Sequence, residues 1–426
     1  MINNLINEAA KENIELEVYA TTNKEITIEY LNETLSNFKT QDIKEYSIKT
    51  IINGATVKTI ALDISNPKEI LDDLKLEREL IDELDTDFLA ENIDIGEREN
   101  CDIAIDSQEI KNNIINFNKG LKEKYKDIHS VRTEYNFEQN GYELVNSNGV
   151  NLKDSNYHAY YSSDIVLKIN GKNLSCFEYL MGKEIDFDKF KNKIIIAIEK
   201  TILKEKSKSI KTNKYNIILT NKITYNILKE FMSDFHASNI IKKQSVFTDK
   251  LGNKIFDEKI TIVEDPTNKD LIGTRLFDAE GVKTYYKKIV DCGRFTTELY
   301  NKKYAEKDST QSTGNAFGVR NAYIIPGDKN YNELVSHLND GIIIDYVIGL
   351  HSGINHLTGD ISLQCEGFLI ENGKIKCGLK DIILSTNVME LFNNVKEIGN
   401  DLEFFGTLGG APSLLIENIT IAGKEV

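Results

Sequence analysis

Apolar residues recur every three or four positions in several segments of the chain, which is the spacing of one face of an α-helix. At the amino terminus this face is formed by Ile2, Leu5, Ile6 and Ala9. The same pattern predicts helices over residues 2–15, Lys68–Leu89, 106–125, Phe187–Lys204, Ile223–Phe235 and Tyr331–Leu338.

Shorter runs rich in Ile, Val, Thr and Tyr lie between these segments and predict β-strands. The expected strands are Ile14–Tyr19, Ile26–Tyr30, Tyr46–Ile52, Ala55–Leu62, Tyr215–Thr220 and Gly341–Val347. Asn53-Gly54 predicts a tight hairpin turn between two of them. Between Ile128 and Ile169, a meander of about four strands is predicted by turn dipeptides. These are Asn140-Gly141, Asn148-Gly149 and Asn170-Gly171.

Strands and helices are grouped along the chain and do not alternate regularly, which favours an α+β fold over a doubly wound α/β fold. The basic and polar run Lys204–Lys214 is the best candidate for a domain boundary. We therefore expect an N-terminal domain of mixed helices and strands over residues 1–208. A strand-rich C-terminal domain is expected over residues 209–426.

The composition is that of a globular protein, because 40% of the 426 residues are hydrophobic. The formal net charge of −15 argues against a nucleic-acid partner, which would require clustered Lys and Arg. No apolar run approaches the length of a membrane helix, and residues 1–10 lack the segments of a signal peptide. Scattered cysteines without a Cys-x-x-Cys pair indicate reduced thiols, so a soluble, cytoplasmic protein is expected. They are Cys101, Cys176, Cys292, Cys365 and Cys377.

The sequence contains no Walker loop, no Gly-x-Gly-x-x-Gly after a strand and no Gly-x-Ser-x-Gly elbow. Of the six histidines only His351 and His356 lie close together, with Asp360 nearby. Their spacing of five around a glycine suits a loop. Two interpretations stay open, namely polar loop residues or a pair of metal ligands to which Cys365 would add a third.

Segments of the C-terminal half resemble motifs of the TldD/PmbA family in their order and spacing. They are Phe277–Thr284, Gly349–Asn355, Thr358–Ser362, Gly367–Ile375, Val395–Leu402 and Pro412–Gly423. The N-terminal half resembles the family mainly in its order of elements and in Glu143–Gly149. This resemblance implies the two-domain α+β fold of the family.

The family has two kinds of member. TldD-like proteins resemble zinc peptidases, with a His-Glu-x-x-x-His motif on a helix of the C-terminal domain and a downstream cysteine as the third ligand. PmbA (TldE)-like proteins lack these residues and pair with a TldD-like subunit. Together the two are implicated in trimming small or unfolded peptides, and the PmbA name also carries the older label of modulator of gyrase.

A gapless match to the motif places Leu228 and Ser233 where the two histidines would be, and Lys229 near the general base. The segment for the cysteine corresponds to Leu402–Ala411, which contains none. A catalytic zinc needs about three protein ligands, an open water position and a base. The resemblance therefore implies a PmbA/TldE-like subunit without catalytic residues or a cofactor of its own, and zinc on a TldD-like partner.

Residues of the shared motifs are candidates for lining a groove that receives the peptide, for instance by strand addition. The alternative is a structural role in tight turns. The residues concerned are Asp278, Glu280, Gly281, His351, Gly353, Asn355, Gly359 and Asp360.

The sequence leaves two other functions open. An autonomous metallopeptidase would use a different metal site built from His351, His356 and a carboxylate. A stand-alone peptide-binding or regulatory protein, acting on a toxin–antitoxin or gyrase component, would have no peptidase role. In the leading interpretation the partners are a TldD-like subunit and small or unfolded peptides, without nucleic acid or membrane. The sequence leaves open whether the isolated chain is a monomer, a homodimer or unstable without its partner.

Overall fold

The computed structural model describes residues 1–81, 89–96, 98 and 103–424. Its amino-terminal half consists of α1 (Ile2–Lys11), β1 (Leu16–Leu31), β2 (Thr34–Ile52), β3 (Ala55–Ala61), α2 (Pro67–Glu79), α3 (Ser107–Lys124), β4 (Ile128–Asn146), β5 (Asn151–Ile169), β6 (Lys172–Gly182) and α4 (Phe187–Leu203). The strands form one antiparallel sheet in the order β3-β2-β1-β4-β5-β6, here called the first sheet. The expected end of the second helix, residues 82–88, and Cys101 lie outside the described residues.

Helices cover one face of the first sheet because apolar side chains alternate along its strands. At one end Leu5 of α1 packs with Val18 of β1. At the other end Phe117 of α3 and Phe190 of α4 lie 5.6 Å apart between ring centroids. Phe190 also stacks on Tyr161 of β5 at 5.4 Å. Helix α1 therefore covers one part of this apolar face, and helices α3 and α4 cover another part.

Several strands of the first sheet are longer than the sequence pattern predicts. The separate strands Ile14–Tyr19 and Ile26–Tyr30 are one strand, β1, because residues 20–25 pair with both β2 and β4. The turn predicted at Asn140-Gly141 is wrong, because this dipeptide lies inside β4 and pairs with β1 and β5. The predicted meander therefore consists of three long strands. The Asn53-Gly54 and Asn170-Gly171 turns are confirmed by positive φ angles at all four residues.

The carboxyl-terminal half consists of β7 (Asn213–Leu219), α5 (Asn221–Phe231), α6 (Ala237–Ile241), β8 (Ile262–Glu264), β9 (Lys287–Asp291), β10 (Arg294–Phe295), α7 (Lys302–Lys307), β11 (Ala322–Ile324), α8 (Tyr331–Leu338), β12 (Gly341–Ile348), β13 (Asp360–Glu371), β14 (Lys374–Asn387), α9 (Val388–Asn393), β15 (Val395–Ile398), β16 (Glu403–Gly406), β17 (Gly409–Ala411) and β18 (Leu414–Ala422). One sheet has the order β14-β13-β12-β7-β18-β15 and the other β10-β9-β8-β11-β17-β16. The strand-rich α+β fold expected from the sequence is confirmed.

β7 and β12 lie at the centre of their sheet and pair in parallel, Ile217 opposite Ile342. The paired segments Ile217–Leu219 and Ile342–Ile344 are unbroken apolar runs because both of their faces are buried. α5 follows β7 directly and is shorter than predicted, since Met232–Phe235 forms a 3₁₀ turn. The proposed boundary at residues 208 and 209 falls in the connection between α4 and β7 and stays a prediction.

No helix within the described ranges 1–81, 89–96 and 103–424 is long and apolar enough to cross a lipid bilayer.

The core of the carboxyl-terminal half centres on phenylalanine rings. Phe235 and Phe247 stack 4.3 Å apart between ring centroids, and Phe295 meets Phe235 edge to face at 5.2 Å. All three side chains are almost completely buried. The 3₁₀ turn after α5 is thus anchored by the ring of its last residue.

We expect Phe235→Ala to lower the free energy of unfolding by about 3–5 kcal/mol, because the truncation leaves a cavity among packed rings. Urea denaturation followed by far-UV circular dichroism measures the loss. Phe177→Ala is the matched control, since this ring is 54% exposed, and it should cost much less. Equal losses for the two variants would contradict the described core.

Candidate functional site

α5 lies against the hairpin formed by β16 and β17, so the two segments singled out by the sequence motif are neighbours in space. Tyr225 of α5 stacks on Phe405 of β16 with ring centroids 5.4 Å apart. The hydroxyl group of Tyr179, from β6 of the first sheet, donates a hydrogen bond to the Phe405 carbonyl at 3.1 Å. The site therefore lies where both halves of the chain meet.

A cavity of about 20 Å³, close to the volume one water molecule requires, separates α5 from the strands beside it. It is lined by Tyr225, Leu228, Lys229, Met232, Val319, Ala322 and Leu408. Most of these side chains are aliphatic. The family match assigns the first histidine to Leu228, which is buried, and the second to Ser233, which is exposed. Because zinc requires nitrogen, sulfur or carboxylate ligands, these residues do not fit a zinc ion.

The segment with His351 and His356 lies over the end of α5. His356 Nδ1 is 3.0 Å from Oδ2 of Asp234, whose side chain is 1% exposed. Burial raises the pKa of Asp234 to about 6, although the hydrogen bond with His356 opposes this shift. His351 Nδ1 is 3.7 Å from Glu230 Oε2, and its ring is almost fully exposed. Each imidazole therefore faces a carboxylate of its own.

The other two residues considered as metal ligands have different partners. Asp360 accepts hydrogen bonds from Thr358 Oγ1 at 2.6 Å and from Asn387 Nδ2 at 3.1 Å, and both lower its pKa. Cys365 is fully buried, and burial raises the pKa of its thiol to about 12. Across the part of the chain that the structure describes, no group of three or more His, Cys, Asp or Glu side chains is arranged to hold a metal ion.

Residues 349–362 form a hydrogen-bonded turn that runs into the start of β13. Asn355 Oδ1 accepts hydrogen bonds from the backbone N–H groups of Leu357 and Thr358, and the N–H of Gly359 donates to the Asn355 carbonyl at 2.7 Å. A Cβ atom at Gly353 would lie 2.4 Å from a backbone oxygen. These contacts support the turn role, and binding of a peptide by strand addition stays a prediction.

The turn containing Asp278, Glu280 and Gly281 joins the two halves. Buried Asp278 accepts the N–H groups of Glu280 and Val282 through Oδ1 and that of Ala316 through Oδ2. Burial nevertheless raises the pKa of its carboxyl group. Gly281 has a φ angle of +71°, and a Cβ atom there would lie 2.8 Å from Cβ of Ala90. The motif is therefore a capped turn packed against the first sheet.

Sequence reasoning missed Arg275 and Arg320, two cationic side chains that meet at the same junction. Arg275 lies two positions before the first residue of the motif segment Phe277–Thr284, and its guanidinium group stacks on Tyr142 of the first sheet. The available signal was the rarity of arginine, which occurs only six times in the sequence.

The family model described as the PmbA/TldA metallopeptidase C-terminal domain matches residues 212–423. The chain belongs to the TldD/PmbA family. A relative in Buchnera aphidicola, named as a metalloprotease PmbA homolog, is 30% identical over 229 residues, or 53% of this chain and 50% of that protein. The chain spans about half the length of the curated relatives it matches in this way.

Solved structures of TldD/PmbA type share the fold along the whole chain. A Thermotoga maritima protein described as a proposed modulator of DNA gyrase superposes with a TM-score of 0.85 and 23% identity, covering 99% of both chains. TldE from Thermococcus kodakarensis gives a TM-score of 0.83 with 19% identity, covering 99% of this chain and 100% of that one. At such identities the likeness shows the fold alone.

We expect Gly281→Ala to destabilise the protein more than Gly149→Ala. Both glycines have φ angles near +80° or +70°, but nothing lies within 4 Å of a Cβ atom at Gly149. In the control, the free energy of unfolding should therefore fall only by the cost of left-handed backbone strain, about 1–2 kcal/mol. Gly281→Ala also overpacks the junction, which should lower it by a further amount of about 1–3 kcal/mol. The measurement is the free energy of unfolding in urea. Equal decreases for the two variants would show that the junction has room for an added methyl group, which would contradict the described packing.

The Asp234–His356 contact predicts a pH dependence of stability. Because the pKa of Asp234 is raised from 3.8 to about 6 on folding, the native state holds a proton that the unfolded chain has released between these pH values. The contribution of Asp234 is thus greatest below pH 3.8 and falls as the pH rises to about 6. We expect Asp234→Asn to abolish this fall, as measured by urea unfolding across pH 4–7.

Asp360→Asn is the matched control, because the lowered pKa of Asp360 makes its contribution disappear as the pH falls. The two differences from wild type should therefore slope in opposite directions. A difference for Asp234→Asn that does not change with pH would contradict the assignment.

Proposed function

We propose that the chain is a PmbA/TldE-like subunit that pairs with a TldD-like zinc metallopeptidase and acts with it on small or unfolded peptides. The chain itself contributes no zinc ligands and no catalytic base. The zinc and the hydrolytic step belong to the partner subunit.

The observation that carries this proposal is the chemistry beside α5. Leu228, Met232 and Leu408 present aliphatic surface to the cavity where the catalytic members of the family have metal ligands by resemblance. Lys229 stands at the position of the general base, and an ammonium group has no lone pair with which to accept a proton from water. By resemblance, the histidine positions on α5 and the cysteine position on the β16–β17 hairpin both lack zinc ligands. Both differences remove the binding of a catalytic zinc.

The peptide part of the proposal is supported by the family and by the preserved shape of the site. The matched relatives are named as metalloproteases, which act on polypeptides. In this chain α5 contacts the β16–β17 hairpin through Tyr225 and Phe405, and it contacts the turn at residues 349–362 through Phe231 and His356. A subunit with these elements is suited to line one side of a chamber around a peptide that its partner holds.

We expect near-zero zinc in the chain purified alone from zinc-supplemented medium, and about one zinc per complex when it is co-expressed with a TldD-like protein from the same genome. Elemental mass spectrometry measures the metal, and size-exclusion chromatography measures the pairing. Hydrolysis of an unfolded peptide should require the complex. It should disappear when Gln replaces the glutamate of the partner's His-Glu-x-x-x-His motif.

Tightly held zinc at about one ion per isolated chain, or metal-dependent hydrolysis by the chain alone, would overturn the non-catalytic assignment. Peptide binding without any association with a TldD-like protein would instead favour a stand-alone binding protein.

A further inference from the structure

Arg275 and Arg320 form a cationic pair at the junction of the two halves. Arg275 is 6% exposed, and its guanidinium carbon lies 3.4 Å from the centre of the Tyr142 ring. One Nη atom donates a hydrogen bond to the hydroxyl oxygen of Tyr19. Among the described residues no acceptor lies within hydrogen-bond distance of its Nε atom. A buried cation is thus left with an unused donor.

Arg320 is half-buried, and its charge acts together with that of Arg275 on the hydroxyl group of Tyr19. Its Nη1 atom donates to Thr407 Oγ1 at 3.2 Å. Burial lowers the pKa of the Arg320 guanidinium, and the charge of Arg275 lowers it further. The two groups are therefore close enough to repel each other.

Neither guanidinium forms a salt bridge with a carboxylate in the described part of the chain. The charge of Glu264 favours the cationic form of Arg320, but this carboxylate is already bonded to Lys287 Nζ at 2.7 Å, to Asn315 Nδ2 and to the backbone N–H of Arg320. Asp154 is bonded to Arg98 at 2.7 Å. The pair consequently retains two positive charges in a chain whose formal net charge is −15.

The pair also adjoins the cavity beside α5. Val319 and Leu408, which line that cavity, are the direct neighbours in sequence of Arg320 and Thr407. Phe317, which is 60% exposed, meets the Tyr19 ring edge to face at 6.2 Å. Solvent-exposed apolar surface and buried positive charge thus lie next to the cavity beside α5. By resemblance, this cavity corresponds to the peptidase site of the catalytic family members.

We propose that Arg275 and Arg320 form a subsite for a carboxylate group of a peptide ligand. The proposal rests on the proposed function, because it specifies how the same site recognises its peptide. A planar guanidinium group binds a carboxylate through two parallel hydrogen bonds, and a carboxylate would neutralise a buried charge that otherwise lacks compensation. The group comes from the C-terminus of the peptide or from an acidic side chain.

Three fluorescein-labelled decapeptides of Ala, Ser and Gly distinguish these sources. One ends in a free carboxylate, one in an amide, and one in an amide with a single internal Glu. Fluorescence anisotropy with the full chain measures each dissociation constant. We expect the free-acid or the Glu peptide to bind at least about 10-fold more tightly than the plain amide, as expected for a charge-assisted bidentate contact.

Arg320→Gln should reduce this preference to less than about 2-fold, because one guanidinium is lost. Arg294→Gln is the matched control with the same change in charge at an exposed arginine and should leave the preference unchanged. Arg275→Lys is the second variant, since it keeps the buried charge but loses the planar group. Thermal unfolding of each variant verifies that it is folded.

Equal binding of all three peptides by the wild-type chain would overturn the carboxylate subsite and leave the proposed function standing. A preference for acidic peptides that survives in both Arg320→Gln and Arg275→Lys would also overturn it. Failure of every peptide to bind, both to the chain and to its complex with a TldD-like subunit, would overturn the proposed function as well.

Discussion

The arrangement of the two halves depends on one buried carboxylate, Asp154, at the start of β5. Its side chain is completely buried. It accepts hydrogen bonds from Arg98 Nε at 2.7 Å, Arg98 Nη2 at 3.1 Å and the N–H of Leu276 at 2.8 Å. A charge in this position is tolerable only while all of these donors are present, since removing one partner of a buried pair costs about 3–5 kcal/mol. The bond to Leu276 therefore fixes the following turn at Asp278 and the preceding Arg275 against the first sheet.

In the proposed non-catalytic subunit, α5 is held in place by packing and not by metal ligands. Metal ligands at such positions are polar and must be oriented by neighbouring groups. Aliphatic side chains such as Leu228 and Met232 require only close contact, which the β16–β17 hairpin provides. The ring of Tyr225 on Phe405 holds the same two elements together without any ion. The contacts that hold α5 on the hairpin are thus made by aromatic and apolar side chains.

The sequence predicted the elements of this fold better than their lengths or partners. Helices such as α4 and α8 follow from apolar spacing, because each has one buried face. The Asn140-Gly141 dipeptide was misread because its effect is local, whereas pairing on both sides with β1 and β5 holds the backbone extended. The hydrogen bond between His356 and Asp234 could not be predicted from the sequence either. Its partner Asp234 is 122 positions away, and no spacing rule connects the two.

Charge explains why the proposed recognition of a carboxylate at the junction must act over a short distance. A chain with a net charge of −15 offers anionic ligands no favourable electrostatic steering, and interactions over more than the Debye length of about 8–10 Å are largely screened. Arg275 and Arg320 lie in a place where no carboxylate of the described chain forms a salt bridge with them. An anionic group can therefore profit from these cations only after it has entered the junction, where two guanidinium planes and the phenol of Tyr19 define its position. Selection at this site is then made by geometry in direct contact and not by long-range attraction.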